Sequence, residues 1–261
     1  CSSDLCPTII GIQEVEKESL LVELAQALET GCDFRYGVAH LESFDVRGID
    51  NALLYNSQLV QLTDFELHQT CTGLETGIEP KSFTCPDDQE PLFSRPPFEA
   101  HLLVNQKPLS IFVNHFKSKR GGEAETAPRR EAQARFLADL VAERLAQTPM
   151  PVVVLGDFND FLDSPPQKIL EQSGELQNLL RSLPAEDQYT FNFSGASQLI
   201  DGIFATNDLA DLISDVQILH LNADYPDALQ LETGAEQLDF KSTDHDPAIV
   251  IDRKSTRLNS S

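Results

Sequence analysis

A chain of 261 residues carries 19 Lys and Arg against 42 Asp and Glu, a net charge of −23. Hydrophobic residues make up 41%, and no apolar run approaches the ~20 residues that span a bilayer, so the composition is globular and excludes a membrane-spanning helix. The charge also excludes a protein that grips nucleic acid on an extended basic face, but not an enzyme that meets phosphates briefly through a bound cation.

The chain opens at Cys1-Ser2-Ser3, which suits either a lipid-bearing mature end or a start inside a longer sequence. A buried strand is predicted over residues 9–13. A helix follows over 19–30, with Leu20, Leu21, Leu24 and Leu28 on one face and Gly31 as its stop. Residues 50–55 read as a strand, and 63–96 as irregular. Two strands, 97–104 and 109–114, are joined through 105–108. Residues 127–146 form a long amphipathic helix with Pro128 in its first turn and Ala132, Phe136, Leu140 and Val141 on one side. Residues 151–155 are a strand, Ser164-Pro165-Pro166 opens a short helix, and 199–206 and 248–251 are strands. The end, 253–261, has Arg253, Lys254 and Arg257, no acid and no periodicity. It reads as foreign or read-through sequence behind one domain over 1–252. Strands mixed with helices predict mixed sheets packed face to face with helices outside.

Cys71 and Cys85 bracket a loop rich in Thr, Gly, Pro and Asp, and no cysteine spacing suits a zinc ligand pair. A disulfide closing that loop, worth ~3 kcal/mol in the chain-entropy model, competes with two unpaired buried thiols. Cys6 and Cys32 offer a second bridge. Such pairing points to an oxidising compartment.

Polar residues gather where the apolar strands end. Gln13-Glu14 closes the first strand, and Asn114-His115 with Lys117-Ser118 closes another. Gly156-Asp157-Phe158-Asn159-Asp160 follows a third, Asp201 opens a fourth, and Ser242-Thr243-Asp244-His245-Asp246-Pro247 leads into the last. One Asp after a strand is usually a turn or cap, but five strands each delivering a carboxylate, amide or imidazole suggest a ligand site.

These motifs together resemble the endonuclease/exonuclease/phosphatase superfamily, over residues 9–251. Arg47-Gly48-Ile49-Asp50 before Ala52-Leu53-Leu54-Tyr55 resembles its bacterial secreted-nuclease branch. The resemblance implies the deoxyribonuclease I-like fold, a four-layer α/β sandwich of two packed mixed sheets flanked by helices. It implies a metal role for Glu14, joined by Asp244; hard oxygen donors suit Mg²⁺, or else Mn²⁺ or Ca²⁺. Asp201 and His245 would form a dyad in which His245 activates water. Asp157 and Asn159 would face the scissile phosphate, although Asn159 also suits a turn. His115 would donate to a non-bridging oxygen, with Asn114 as a second phosphate or backbone contact. Arg47 is either a phosphate contact or half of a surface ion pair. Asp50 would pair with Arg47 or steady His115. Lys117 either meets phosphate or covers its own loop. The remaining histidines, His40, His68, His101 and His220, read as structural. The family begins with a strand ending in a metal-binding Asn, and no such Asn precedes Glu14 here, which favours a truncated start.

The function expected is a secreted, Mg²⁺-dependent nuclease, extracellular or periplasmic, cutting DNA or RNA. It would hold nucleic acid only transiently as substrate and act as a monomer. A phosphomonoesterase or sphingomyelinase-like diesterase is the alternative, since the fold hosts both. No exposed aromatic hairpin is evident for membrane engagement, and Trp is absent, which counts against lipid. A binding module that lost catalysis is disfavoured by the intact polar set.

Overall fold

The structure is a computed structural model that describes residues 5–78, 83–225 and 243–253. The Cys1 end, Ser242 and the tail from residue 254 lie outside the described residues. Strands β1 (Ile9–Val15), β2 (Tyr36–His40) and β3 (Asp50–Asn56) form an antiparallel sheet in the order β1–β3–β2. The larger sheet runs β10 (Leu176–Asn178), β13 (Asp201–Thr206), β9 (Val152–Asp157), β8 (Lys107–His115), β7 (Phe98–Val104) and β4 (Val60–Leu67). It is mixed, because β8 and β9 are parallel while the other pairs are antiparallel. Three small pairs are added: β5 (Cys71–Thr72) with β6 (Glu90–Pro91), β11 (Phe191–Phe193) with β12 (Ala196–Gln198), and β14 (Ile213–Ile218) with β15 (Ala248–Asp252).

Alternation along the strands builds the layers. Ala52 and Leu54 of β3 face helix α1 (Glu18–Glu29), while Leu53 packs with Ile111 and Val113 of β8 and Phe98, Ala100 and Leu102 of β7 between the sheets. Phe112, Val152, Val154 and Phe204 point the other way, against Leu137 and Val141 of α2 (Glu123–Gln147) and Leu170 of α3 (Pro165–Gln172). The result is the four-layer sandwich expected from the sequence. Each fully buried Leu or Phe contributes about 1.5–3 kcal/mol by leaving water.

Several local expectations change. The smaller sheet is antiparallel throughout, not mixed. Residues 60–67 are a strand, not the start of an irregular stretch. A bulge between Leu62 and Asp64 breaks the period-2 pattern that would have revealed it. Strand β2 was also unread, because Gly37 interrupts it; a Cβ there would run into the Tyr55 ring. Helix α2 starts at Glu123, so Pro128 lies inside it, not in its first turn. The acidic Glu123 and Glu125 favour that earlier start through the helix dipole. In α1 the buried side chains are Leu21 and Ala25, with Leu28 packed beside them. Leu20 and Leu24 are about 40% exposed, contrary to the single leucine face expected. Both disulfides form, Cys6–Cys32 and Cys71–Cys85, which suits an oxidising environment. No helix among the described residues is long and apolar enough to cross a membrane.

Candidate active site

Strand register assembles the centre. In the parallel β8–β9 pair Asn114 lies opposite Gly156 and His115 opposite Asp157. In the antiparallel β9–β13 pair Asp157 lies opposite Asp201. His115, Asp157 and Asp201 therefore stand side by side at the ends of three adjacent strands, about 4.8 Å apart strand to strand. Gly156 permits this approach: its φ is +133°, and a Cβ would collide with the Asn114 carbonyl. Two predicted site residues, Glu14 (φ 59°) and Asn159 (φ 53°), adopt left-handed backbone. Such conformations cost on the order of 1–3 kcal/mol and gather at functional sites. In β1 a register shift between Ile12 and Val15 accompanies the turn at Glu14.

The side chains interlock. Nδ1 of His245 lies 2.7 Å from Oδ2 of Asp201, and the Thr190 hydroxyl donates to the same oxygen at 2.5 Å. The Asn159 backbone N–H donates to Asp157 Oδ1 and its side-chain amide to Oδ2, both at 2.7 Å. Nε2 of His115 lies 3.4 Å from Oδ2 of Asp157, and its Nδ1 is buried without a partner. Burial, reinforced by the charge of Asp201, lifts the Asp157 carboxyl to about 7. Burial pulls the His245 imidazole down, but Asp201, with Asp157 and Asp244 behind it, outweighs this and raises it to about 10. Burial and then Arg95, Arg47 and His245 hold His115 well below the ordinary histidine range, so it is neutral. A neutral imidazole donor, a carboxyl near its titration point and a charged dyad are the equipment of acid–base chemistry on an anionic ester.

Of three expected substrate contacts, Asn114 and Lys117 take the second of the two roles open to them, and Asp50 takes neither of its two. Asn114 is fully buried and its amide donates to the carbonyls of Phe112 and Leu155, so it braces β8 and β9 and does not meet a phosphate. Asp50 is buried and holds His40 Nε2 at 2.9 Å and the Ser43 N–H at 2.7 Å; it neither pairs with Arg47 nor steadies His115. The Lys117 ammonium donates to the carbonyls of Ser118 and Arg120, which is the loop-covering role. Arg47 keeps a place at the rim. Its Nε donates to Asp45 and its Nη1 lies 3.9 Å from Oε1 of Glu14, with both side chains more than half exposed. His40, His68, His101 and His220 each stand beside a buried carboxylate, Asp50, Glu99 or Asp246, and Asp246 is the residue next to His245.

Sequence reasoning missed Arg95, Thr190 and Lys119. Arg95 is buried, bonded to Asp45 Oδ2 at 2.6 Å and to the Phe116 carbonyl, and its charge bears on both His115 and Asp157. It sits in Ser94-Arg95-Pro96-Pro97, inside the stretch read as irregular, where an Arg before two prolines was the only signal. Thr190 gave no signal, being one hydroxyl among many. Lys119 bridges Asp160 and Glu123 and lies over the Phe161 ring.

A sequence model of the Endonuclease/Exonuclease/phosphatase family matches residues 1–224. The chain belongs to this family. Members are metal-dependent phosphoester hydrolases. The structure resembles the truncated TDP2 of Caenorhabditis elegans at TM-score 0.60 and 17% identity, over 94% of this chain and 83% of that one. In two other structures of the worm protein the chain spans 63% and 64% of the length. The mannosyl-6-phosphatase of Bacteroides thetaiotaomicron is similar at TM-score 0.59 and 16% identity, covering 94% of this chain and 84% of that one. The human nocturnin catalytic domain follows at 0.54 and 17%, over 81% and 72%. At these identities the likeness is one of fold. No curated protein sequence matches.

The family's divalent cation finds suitable donors here. Two acid–His clusters bring ligand atoms within 4.8 Å among the described residues, His40–Glu42–Asp50 and Glu66–Glu99–His101. In each, a buried carboxylate already has protein partners: Asp50 holds His40, and Glu99 holds Arg144 and Ser110. Glu14, 3.9 Å from the Arg47 guanidinium, and Asp244, whose charge bears on His245, are exposed carboxylate donors. Carboxylate oxygens are hard donors that suit a divalent cation.

Proposed function

We propose that this family member is a Mg²⁺-dependent phosphodiesterase, exported from the cell, that cuts DNA or RNA as a transient substrate. The observation that carries this reading is the grouping of His115, Asp157, Asp201 and His245 at three adjacent strand ends and the loop before β15, with Arg47 and Arg95 beside them. Glu14 and Asp244 would hold the cation, which neutralises phosphate charge when bound. Neutral His115 donates its N–H to a non-bridging oxygen. Asp201 fixes the His245 tautomer through Nδ1, leaving Nε2 to accept a proton from water. Asn159 orients Asp157 towards the attacking or leaving oxygen. The two disulfides and the Arg47–Tyr55 likeness to secreted nucleases support export.

A second assignment of the same chemistry is favoured by the acidities. With His245 raised by its carboxylate neighbours and Asp157 lifted towards neutrality, Asp157 would take the proton and the His245 imidazolium would face the phosphate. Asp201→Asn separates the two. If His245 is the base, the acid limb of the pH–rate profile moves to lower pH as the imidazole loses its anionic partner. If Asp157 is the base, removing the Asp201 charge also lowers its pKa, but the rate then falls at high pH as His245 deprotonates.

Substrate choice is tested on single- and double-stranded DNA, RNA, sphingomyelin and mannose 6-phosphate, each with and without EDTA. Hydrolysis of a nucleic acid that EDTA abolishes is expected, and Glu14→Gln should weaken metal affinity and rate together. Turnover of mannose 6-phosphate or sphingomyelin alone would replace the nuclease reading. Full activity in EDTA would remove the metal from it.

A further inference from the structure

We propose that the β11–β12 hairpin is a stacking platform for a planar ring carried by the phosphoester substrate, such as a nucleobase, with Phe193 as the contact residue. This rests on the phosphodiesterase reading above. The sequence offered no exposed aromatic hairpin, and the fold makes one beside the reacting groups.

The hairpin is rooted in the dyad. Thr190, at its base, is fully buried; its hydroxyl donates to Asp201 and its carbonyl accepts from the Asp246 N–H at 2.7 Å. Phe191 forms an antiparallel bridge with His245, and its ring centroid lies 4.9 Å from the imidazole. Phe193, two residues on and so on the same face, follows at 6.4 Å from Phe191 with only 16° between the planes. Phe193 is 61% exposed. Asn192 donates to the Ala223 carbonyl and the Asp224 carboxylate, which pins the hairpin to the neighbouring loop. A fixed row of rings therefore leads from His245 to solvent.

The chemistry of the row selects its occupant. Residues 188–198 contain no Lys, Arg, Asp or Glu, so no further phosphate is held there. Phenylalanine offers no hydrogen bond, so the contact is with a ring face and is indifferent to which base is present. A lipid surface fits less well. Interfacial segments combine a broad apolar face with Lys and Arg, whereas this hairpin has one well-exposed ring and no cation on a chain of net charge −23.

The test uses 2-aminopurine deoxyribonucleoside 5′-monophosphate, whose fluorescence is quenched on stacking, so binding is read without turnover. The wild-type protein should quench it. Phe193→Ala and Phe193→Leu should weaken binding about 5–150-fold, the worth of one base–aromatic stack, while Phe193→Tyr should retain it. The exposed position leaves the fold intact, which circular dichroism confirms. Absence of quenching by the wild type, or quenching unchanged in Phe193→Ala, overturns the proposal. Binding to phosphatidylcholine vesicles that Phe193→Ala abolishes, with nucleotide quenching untouched, overturns it in favour of a lipid surface. If quenching depends on Phe193 but no phosphodiester is hydrolysed, the platform stands and the catalytic reading fails.

Discussion

Glu99 on β7 and Asp157 at the end of β9 are both buried carboxylates with a histidine close by, yet their acidities move in opposite directions. Burial opposes ionisation in each case. At Glu99 it is overcome by His68 at 2.8 Å, two Arg144 bonds at 2.8 Å and Ser110 at 2.6 Å, which hold the carboxyl down to about 2. Asp157 feels the charges of His245 and Arg95 without bonding either, accepts hydrogen bonds from the N–H groups of Asn159, and faces Asp201 on the next strand, so burial and the Asp201 charge prevail. A carboxylate whose charge is fully answered by the protein is part of the framework. One left under-answered is held ready for a proton, a cation or a phosphate group that arrives later.

The contrast is broken most strongly at the reacting centre. His245→Ala is expected to cost at least ~10²–10⁴-fold in kcat with little change in KM, and Asp157→Asn a comparable amount. Steady-state kinetics on the preferred substrate check this, and a loss confined to KM would make the Asp201–His245 pair structural. The framework carboxylate should show the reverse. Glu99→Ala leaves Arg144 and His68 without their anion and is expected to lower stability by about 3–5 kcal/mol in urea unfolding, with kcat unchanged in the protein that remains folded.

Acid titration sharpens the same difference. Glu99 is more acidic folded than unfolded, so its stabilisation is complete above the unfolded carboxylate value near 4.5 and is lost as pH falls towards about 2. Asp157 is less acidic folded than unfolded, so its contribution is full below about 3.8 and is lost as pH rises through about 7. Asp157→Asn should therefore raise Tm at pH 8, by on the order of 2–4 °C for each kcal/mol relieved, and leave it unchanged at pH 3.5. A variant that is inactive and no more stable at pH 8 would show that Asp157 is as well answered as Glu99.

The smallest expected effect is at Thr190. Thr190→Val removes the second donor to Asp201 Oδ2 and should lower kcat about tenfold, in line with a hydrogen bond to a charged group, with KM retained. Thr190→Ser should restore it. Equal losses in the serine and valine variants would place the effect in packing under the hairpin and not in the orientation of the dyad.

Much of the centre was legible because strand-end motifs are local. Gly156-Asp157-Phe158-Asn159 carries its own turn, and the strand before it is unmistakably apolar, so Asp157 had to emerge at a strand end. The same holds for His115 at the end of β8 and Asp201 at the start of β13. What misled was proximity in sequence. Asn114 adjoins His115 and was expected to meet either phosphate or backbone; successive strand residues point to opposite faces, so Asn114 ends in the interior on backbone carbonyls. Asp50 lies three residues from Arg47, yet Arg47 pairs with Asp45 and Glu14, because Asp50 belongs to β3 and turns towards His40 on β2.

The amino-acid order by itself determined the layered α/β class, the strand-end polar set and the family, because hydrophobic period and short motifs are written residue by residue. The tertiary structure alone decided which of those polar groups meet. Arg95 reaches the centre through Asp45 and the Phe116 carbonyl, 50 and 21 residues away, and Thr190 reaches it through Asp201. The acidity of Asp157 was equally unreadable. It depends on how much water and counter-charge the folded neighbours leave around one carboxyl, and that follows from register between strands, not from the residues beside it in the chain.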